Sequence, residues 1–187
     1  MLNCKTWIPI IVSLVATVAH AEKPNLPSPP TGFEWQWCED VSVGILKPHQ
    51  WHYKTARKNA TRGYFITQEN IEDTGGFNTG LSLNVIPGVG MKRGGTASEF
   101  AKLFIQEATK EKESVLLVIP PNQAGPAQTF GCRIKKDGSV IHNFLIADDA
   151  NDVVYMFIYE SPEQDWEEAW SKGQTMLRKL YIDLPEQ

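Results

Sequence analysis

The chain has 187 residues, 42% of them hydrophobic, and sets 18 Lys and Arg against 22 Asp and Glu for a formal charge of −4. That length suits one domain with a sizeable core. The acidic balance argues against nucleic acid as a partner, because phosphate binding is driven by clustered Lys and Arg. It argues equally against simple adsorption to anionic lipid.

The first segment has the three parts of a secretory signal in order. Lys5 gives a positive start, positions 7–18 are apolar and uncharged, and Ala19-His20-Ala21 puts small residues where a signal peptidase reads. The apolar run is shorter than the roughly 20 residues a spanning helix needs. Cys4 precedes it, so it is not a lipoprotein cysteine. The expectation is cleavage after Ala21 and a soluble mature protein outside the cytoplasm, periplasmic or secreted, with no membrane span.

Positions 22–31 are proline-rich and read as an extended, loosely held leader. A single domain is expected over 32–187, with order beginning at Phe33. Phe33, Trp35, Trp37, Val41, Val43 and Ile45 alternate with more polar neighbours, the period of a strand pair or one bent strand ending at Pro48. Positions 64–69 predict a short strand. Leu81, Leu83 and Val85, set between Ser82 and Asn84, predict a strand with one polar face. The glycine-rich stretch 73–80 between them suits a hairpin-like connection.

Thr96 and Glu99 stand at capping-box spacing and open a helix whose apolar stripe is Phe100, Leu103, Phe104 and Ala108. Positions 115–119 predict a strand stopped by Pro120-Pro121. Phe130, Cys132 and Ile134 predict another, ending at the Lys136-Asp137-Gly138 turn. Strands over 140–147 and 153–159 flank the acidic turn Asp148-Asp149-Ala150-Asn151-Asp152, and the second is apolar on both faces, as a mid-sheet strand is. Ser161, Pro162 and Gln164 have the spacing of a helix start. Trp166, Ala169, Trp170, Gly173, Met176, Leu177 and Leu180 then recur as on an amphipathic helix of about five turns. The sum is an α+β fold, a mainly antiparallel sheet covered by helices in three layers.

Few positions point to chemistry. Gly90, Lys92, Arg93, Gly94, Gly95 and Thr96 combine permissive glycines, two cations and a helix start, the parts of an anion or small-ligand site. Neither the phosphate-loop nor the dinucleotide signature is completed there. Asp148, Asp149, Asn151 and Asp152 are too few and too closely spaced for a calcium loop and read as a turn. His49, His52 and His142 lack the further ligands zinc requires, so neither metal nor cofactor is expected. No nucleophile motif occurs, and the reading leans away from an enzyme. A hydrolase with carboxylates brought together by the fold stays open.

Trp35, Trp37, Trp51 and Tyr53 crowd the start of the domain. They serve either as core or, where exposed, as a protein-contact patch. Cys38 and Cys132 remain after cleavage, a pair that an oxidising compartment could join. Alternation sets Cys132 on an apolar face and Cys38 beside Glu34 and Gln36, so two unbonded thiols are the other reading.

The order of elements resembles the PsbP-like family, named for an extrinsic subunit of the photosystem II oxygen-evolving complex and including bacterial envelope proteins. The resemblance spans about positions 35–183. It lies in the opening strand pair ending at Pro48 and Trp51, the closing Thr79-Gly80-Leu81, the central helix, and above all Val154-Tyr155-Met156-Phe157-Ile158-Tyr159-Glu160-Ser161-Pro162 before Trp166 and a long helix. It implies an α/β/α sandwich and non-enzymatic work, assisting or docking on a larger assembly through a protein partner in the envelope. No family binding motif matches position by position, so no functional residue carries over.

Overall fold

A computed structural model describes residues 24–183. The expected signal segment lies outside the described residues. Among the described residues, ten strands and four α-helices form two antiparallel sheets with helices on both faces of the larger one, an α+β fold.

The opening alternation folds as a hairpin, β1 (Phe33–Cys38) and β2 (Val43–Pro48), joined by a 3-10 turn at Glu39–Val41. β3 (His52–Lys58), β4 (Thr61–Thr67) and β5 (Gly80–Pro87) then make an antiparallel meander. The glycine-rich connection before β5 includes one helical turn, α1 (Ile71–Thr74). Two helices follow, α2 (Val89–Arg93) and α3 (Ala97–Ala108). A second meander comprises β6 (Val115–Ala124), β7 (Ala127–Lys136), β8 (Ser139–Asp148) and β9 (Val153–Pro162). The chain ends in α4 (Trp166–Arg178) and β10 (Tyr181–Ile182), which pairs with β2. The large sheet runs β3-β4-β5-β9-β8-β7-β6, and the small one β1-β2-β10.

β9 lies mid-sheet between β5 and β8, which is why both its faces are apolar. Tyr155, Phe157 and Tyr159 enter one core with β1, β2 and α4, while Val154 and Met156 enter the other beneath α3. On the first side the small sheet is fastened to the large one at Asp40. Its carboxylate accepts from Tyr64 Oη and lies 3.3 Å from Arg62 Nε. The leader is held too, because Trp35 Nε1 donates to Pro27 O at 2.6 Å and Leu26 packs over Gly44.

Three local expectations change, and one strand, β3, was not foreseen. β6 continues through Pro120-Pro121 instead of stopping there. It is an edge strand, and its register shifts between Ile119 and Asn122 absorb the prolines. β3 gave no apolar alternation because it is the opposite edge and most of its side chains are exposed. The stripe of α3 is Ala97, Ala101 and Ile105, with Phe100, Phe104 and Ala108 beside it, whereas Leu103 is 64% exposed. α4 starts at Trp166, not near Ser161. Ser161 is fully buried opposite Val140 in the sheet, and a 3-10 turn at Glu163–Asp165 intervenes.

Candidate functional site

The two polar motifs that stand apart in the sequence meet in space. Gly88 and Gly94 take left-handed backbone at the ends of α2, with φ of 67° and 73°. Asp152 Oδ1 accepts from Gly90 N at 2.7 Å, and its carbonyl accepts from Gly88 N at 2.8 Å. Asp149 takes both Ser98 N and Ser98 Oγ at 2.7 Å. The Thr96 capping box forms as expected, with Glu99 Oε2 accepting Thr96 N at 2.9 Å. Lys92 Nζ donates to Pro87 O at 2.9 Å. Of the amides in 90–96, that of Gly90 is taken by the acidic turn, that of Thr96 by Glu99, and those of Lys92 and Gly94 by carbonyls of Gly88 and Gly90, while Asp149 holds Ser98 just beyond. That turn is consumed in the same way, since Asp148 accepts from both the backbone and side-chain nitrogens of Asn151.

The aromatic group divides. Trp51 is core, 8% exposed, with Lys172 Nζ 5.9 Å from its ring. Trp35 and Trp37 are half-buried on one face of the small sheet, beside Gly44 and Tyr181. Tyr53 is half-buried as well. Cys38 and Cys132 are free and fully buried in separate cores on opposite sides of the large sheet, so the disulfide their number allows is not formed. Cys38 Sγ lies 3.8 Å from Tyr53 Oη, and burial pushes its thiol up to about 12. Burial also raises the Cys132 thiol.

The concavity with the dimensions of a binding site runs along α3. That helix packs mainly on β7, β8 and β9. Two adjoining hollows lie along it, of about 830 and 970 Å³, both bounded by Phe104 and Glu107. Met156, Ile158 and Phe65 floor them, with Phe77 at the far end. The polar face expected for β5 is part of this floor, where Ser82 pairs with Ile158 on one side and Phe65 on the other. Glu160 stands at the far end, its carboxyl raised by burial alone.

A second cluster escaped the sequence reading. On the opposite face of the sheet the Arg133 guanidinium lies 4.4 Å from the centre of Trp170 and 4.9 Å from that of Trp166. The two indoles stack with centroids 5.0 Å apart. A cation set among apolar strand positions was the available signal. Its partners sit on another element, and spacing alone does not join them.

No family model matches the chain, and no curated protein matches it in sequence. The solution structure of cyanobacterial PsbP from Synechocystis sp. PCC 6803 superposes with a TM-score of 0.50 at 10% identity, over 81% of this chain and 93% of that one. The Saccharomyces cerevisiae Ran-binding protein Mog1p gives 0.45 at 13% identity, over 80% and 95%. The chain has a PsbP-like α+β fold. At this identity the likeness is one of fold, and function rests on the site. No helix among the described residues is long and apolar enough to cross a membrane.

Proposed function

We propose that the protein is a non-enzymatic, extracytoplasmic accessory protein that docks on a larger envelope assembly by receiving an apolar segment of a partner protein beside α3. The observation that carries this reading is the pair of adjoining hollows that share Phe104, with Met156 in the lining of one and Ile158 in that of the other. They are open to solvent and backed by the large sheet, a form in which apolar partner segments are bound. Leu103 stands on the rim of the first, 64% exposed. Export is supported by Lys5, the apolar run 7–18 and Ala19-His20-Ala21. The anion-binding alternative needs Asp149 and Asp152 to leave the amides they occupy. The hydrolase alternative would rest on Glu160, whose carboxyl is raised by burial alone.

The test places a photo-crosslinking residue at Leu103 of the full chain in its native cells, with Lys58 on the far edge strand as control. Discrete adducts from position 103 alone support docking in the hollow. Equal, diffuse labelling from both positions overturns it. Fractionation and N-terminal sequencing test the location, and a chain retained inside the cell with residues 1–21 intact would remove the extracytoplasmic part.

A further inference from the structure

The large sheet ends at β6, and no described strand pairs with its outer edge. Open edges are normally blunted, because their free N–H and C=O groups recruit other strands. Here only half is blunted. Pro120 and Pro121 have no N–H to offer, whereas 116–119 keep theirs. This open half also carries exposed apolar side chains, with Leu116 47%, Leu117 43% and Val118 52% accessible.

Leu117 pairs in register with Arg133, so the two side chains share a face. Arg133 makes no ion pair or hydrogen bond among the described residues, and its buried Nε has no partner. Glu167 acts on it only through its field. The stacked Trp166 and Trp170 hold the guanidinium in place. His142, the cross-strand neighbour of Arg133, is 5% exposed and lies 4.5 Å from Trp170 between ring centres. Its Nδ1 is likewise unpartnered. The cation stands one strand in from the apolar open edge, held by the indoles and with no hydrogen-bond acceptor among the described residues. A carboxylate supplies two oxygens in the geometry of the guanidinium fork, and Arg and Trp are the residues on which interface energy concentrates.

We propose that the open half of β6 and Arg133 form a second docking site, independent of the hollow beside α3. Its occupant is an extended segment of a partner protein that adds as a strand to 116–119 and sets an Asp or Glu carboxylate on Arg133.

The test pans a random heptapeptide phage library against the immobilised full chain. The expected result is enrichment of sequences with Asp or Glu between β-branched or aromatic residues. A synthetic peptide of the enriched sequence should then shift the backbone amides of 115–119. Arg133→Gln should weaken that peptide about tenfold or more, and Arg133→Lys should not restore it, because Lys lacks the fork. Should Arg133→Gln fail to fold, Val118→Ser alters the exposed edge on the face away from the arginine and should weaken binding as well. No enrichment, enrichment without an acidic residue, or equal affinity for folded Arg133→Gln overturns the proposal. So does concentration-dependent self-association weakened by Val118→Ser, which would make a second copy the occupant.

Discussion

The ring of Tyr159 on β9 lies directly on Gly173 of α4: a Cβ built at 173 would stand 2.8 Å from three ring carbons. The hydroxyl of the same tyrosine donates to Ala169 O at 2.6 Å, one turn earlier on that helix. Trp166 and Trp170 pack edge-on against the ring from the side. The absence of a side chain at 173 therefore sets how closely α4 approaches the sheet.

Gly173→Ala should destabilise the fold although alanine favours helix. Overpacking costs about 1–3 kcal/mol, against at most about 1 kcal/mol gained in helix propensity. The expected net loss is about 1–2 kcal/mol, read as a fall in Tm of roughly 3–6 °C. A rise in Tm would mean that the helix shifts without strain.

Asp149→Ala removes the acceptor for Ser98 N and Ser98 Oγ and should cost about 1 kcal/mol, as the loss of a helix cap does. It also frees an amide at the start of α3. In a sulfate titration the amides of 90–98 should then respond in the variant and stay unchanged in the wild type. An equal response in both would show that the acidic turn does not block the loop.

His142 carries a pH dependence. Burial, then the charge of Arg133, lowers its pKa from 6.5 to about 4. Between those values the unfolded chain binds more protons than the folded one. The contribution is full above about pH 6.5, falls as the pH drops, and is gone below about pH 4, with an upper limit near 3 kcal/mol. Glu160, raised by burial, works in the opposite sense, so the informative quantity is the difference from a His142→Gln variant. Urea midpoints of that variant should vary less across this range than those of the wild type. Parallel profiles would show that His142 is already charged in the native state.

Neither Cys38 nor Cys132 should react with an aromatic disulfide reagent in the native protein at neutral pH, because both are buried and burial raises both thiols. Both should react fully in guanidinium. Native labelling of Cys38 would show that the β1–β2 hairpin opens at Tyr53.

Much of the architecture was legible wherever one local rule acted alone. The Thr96 and Glu99 capping box, the turn at Asp137 and Gly138, and the two apolar faces of β9 need only near neighbours in sequence. Edge strands were harder to read. β3 is exposed and has no stripe, and β6 tolerates prolines that would stop an interior strand. The hollow beside α3 was out of reach, because Phe65, Ser82 and Ile158 become adjacent only once β5 pairs with β9. Arg133 shows the same limit, since its tryptophans belong to an element whose position depends on the sheet order. The glycine loop and the acidic turn were each visible, but not the hydrogen bonds between them.

The β5–β9 seam has a consequence for how the chain reaches this state. Each meander, β3 to β5 and β6 to β9, closes by local hairpins, but Gly80 meets Glu160 only after the whole of β9 exists. Loop closure over such a separation is slow compared with hairpin formation. Until the seam zips, the edges of β5 and β9 are both unprotected. The slow kinetic step should therefore be sensitive to substitutions such as Ser82→Gly or Ile158→Ala at the seam and insensitive to changes in β3. A chain held back before β9 is made has two half-sheets and no core.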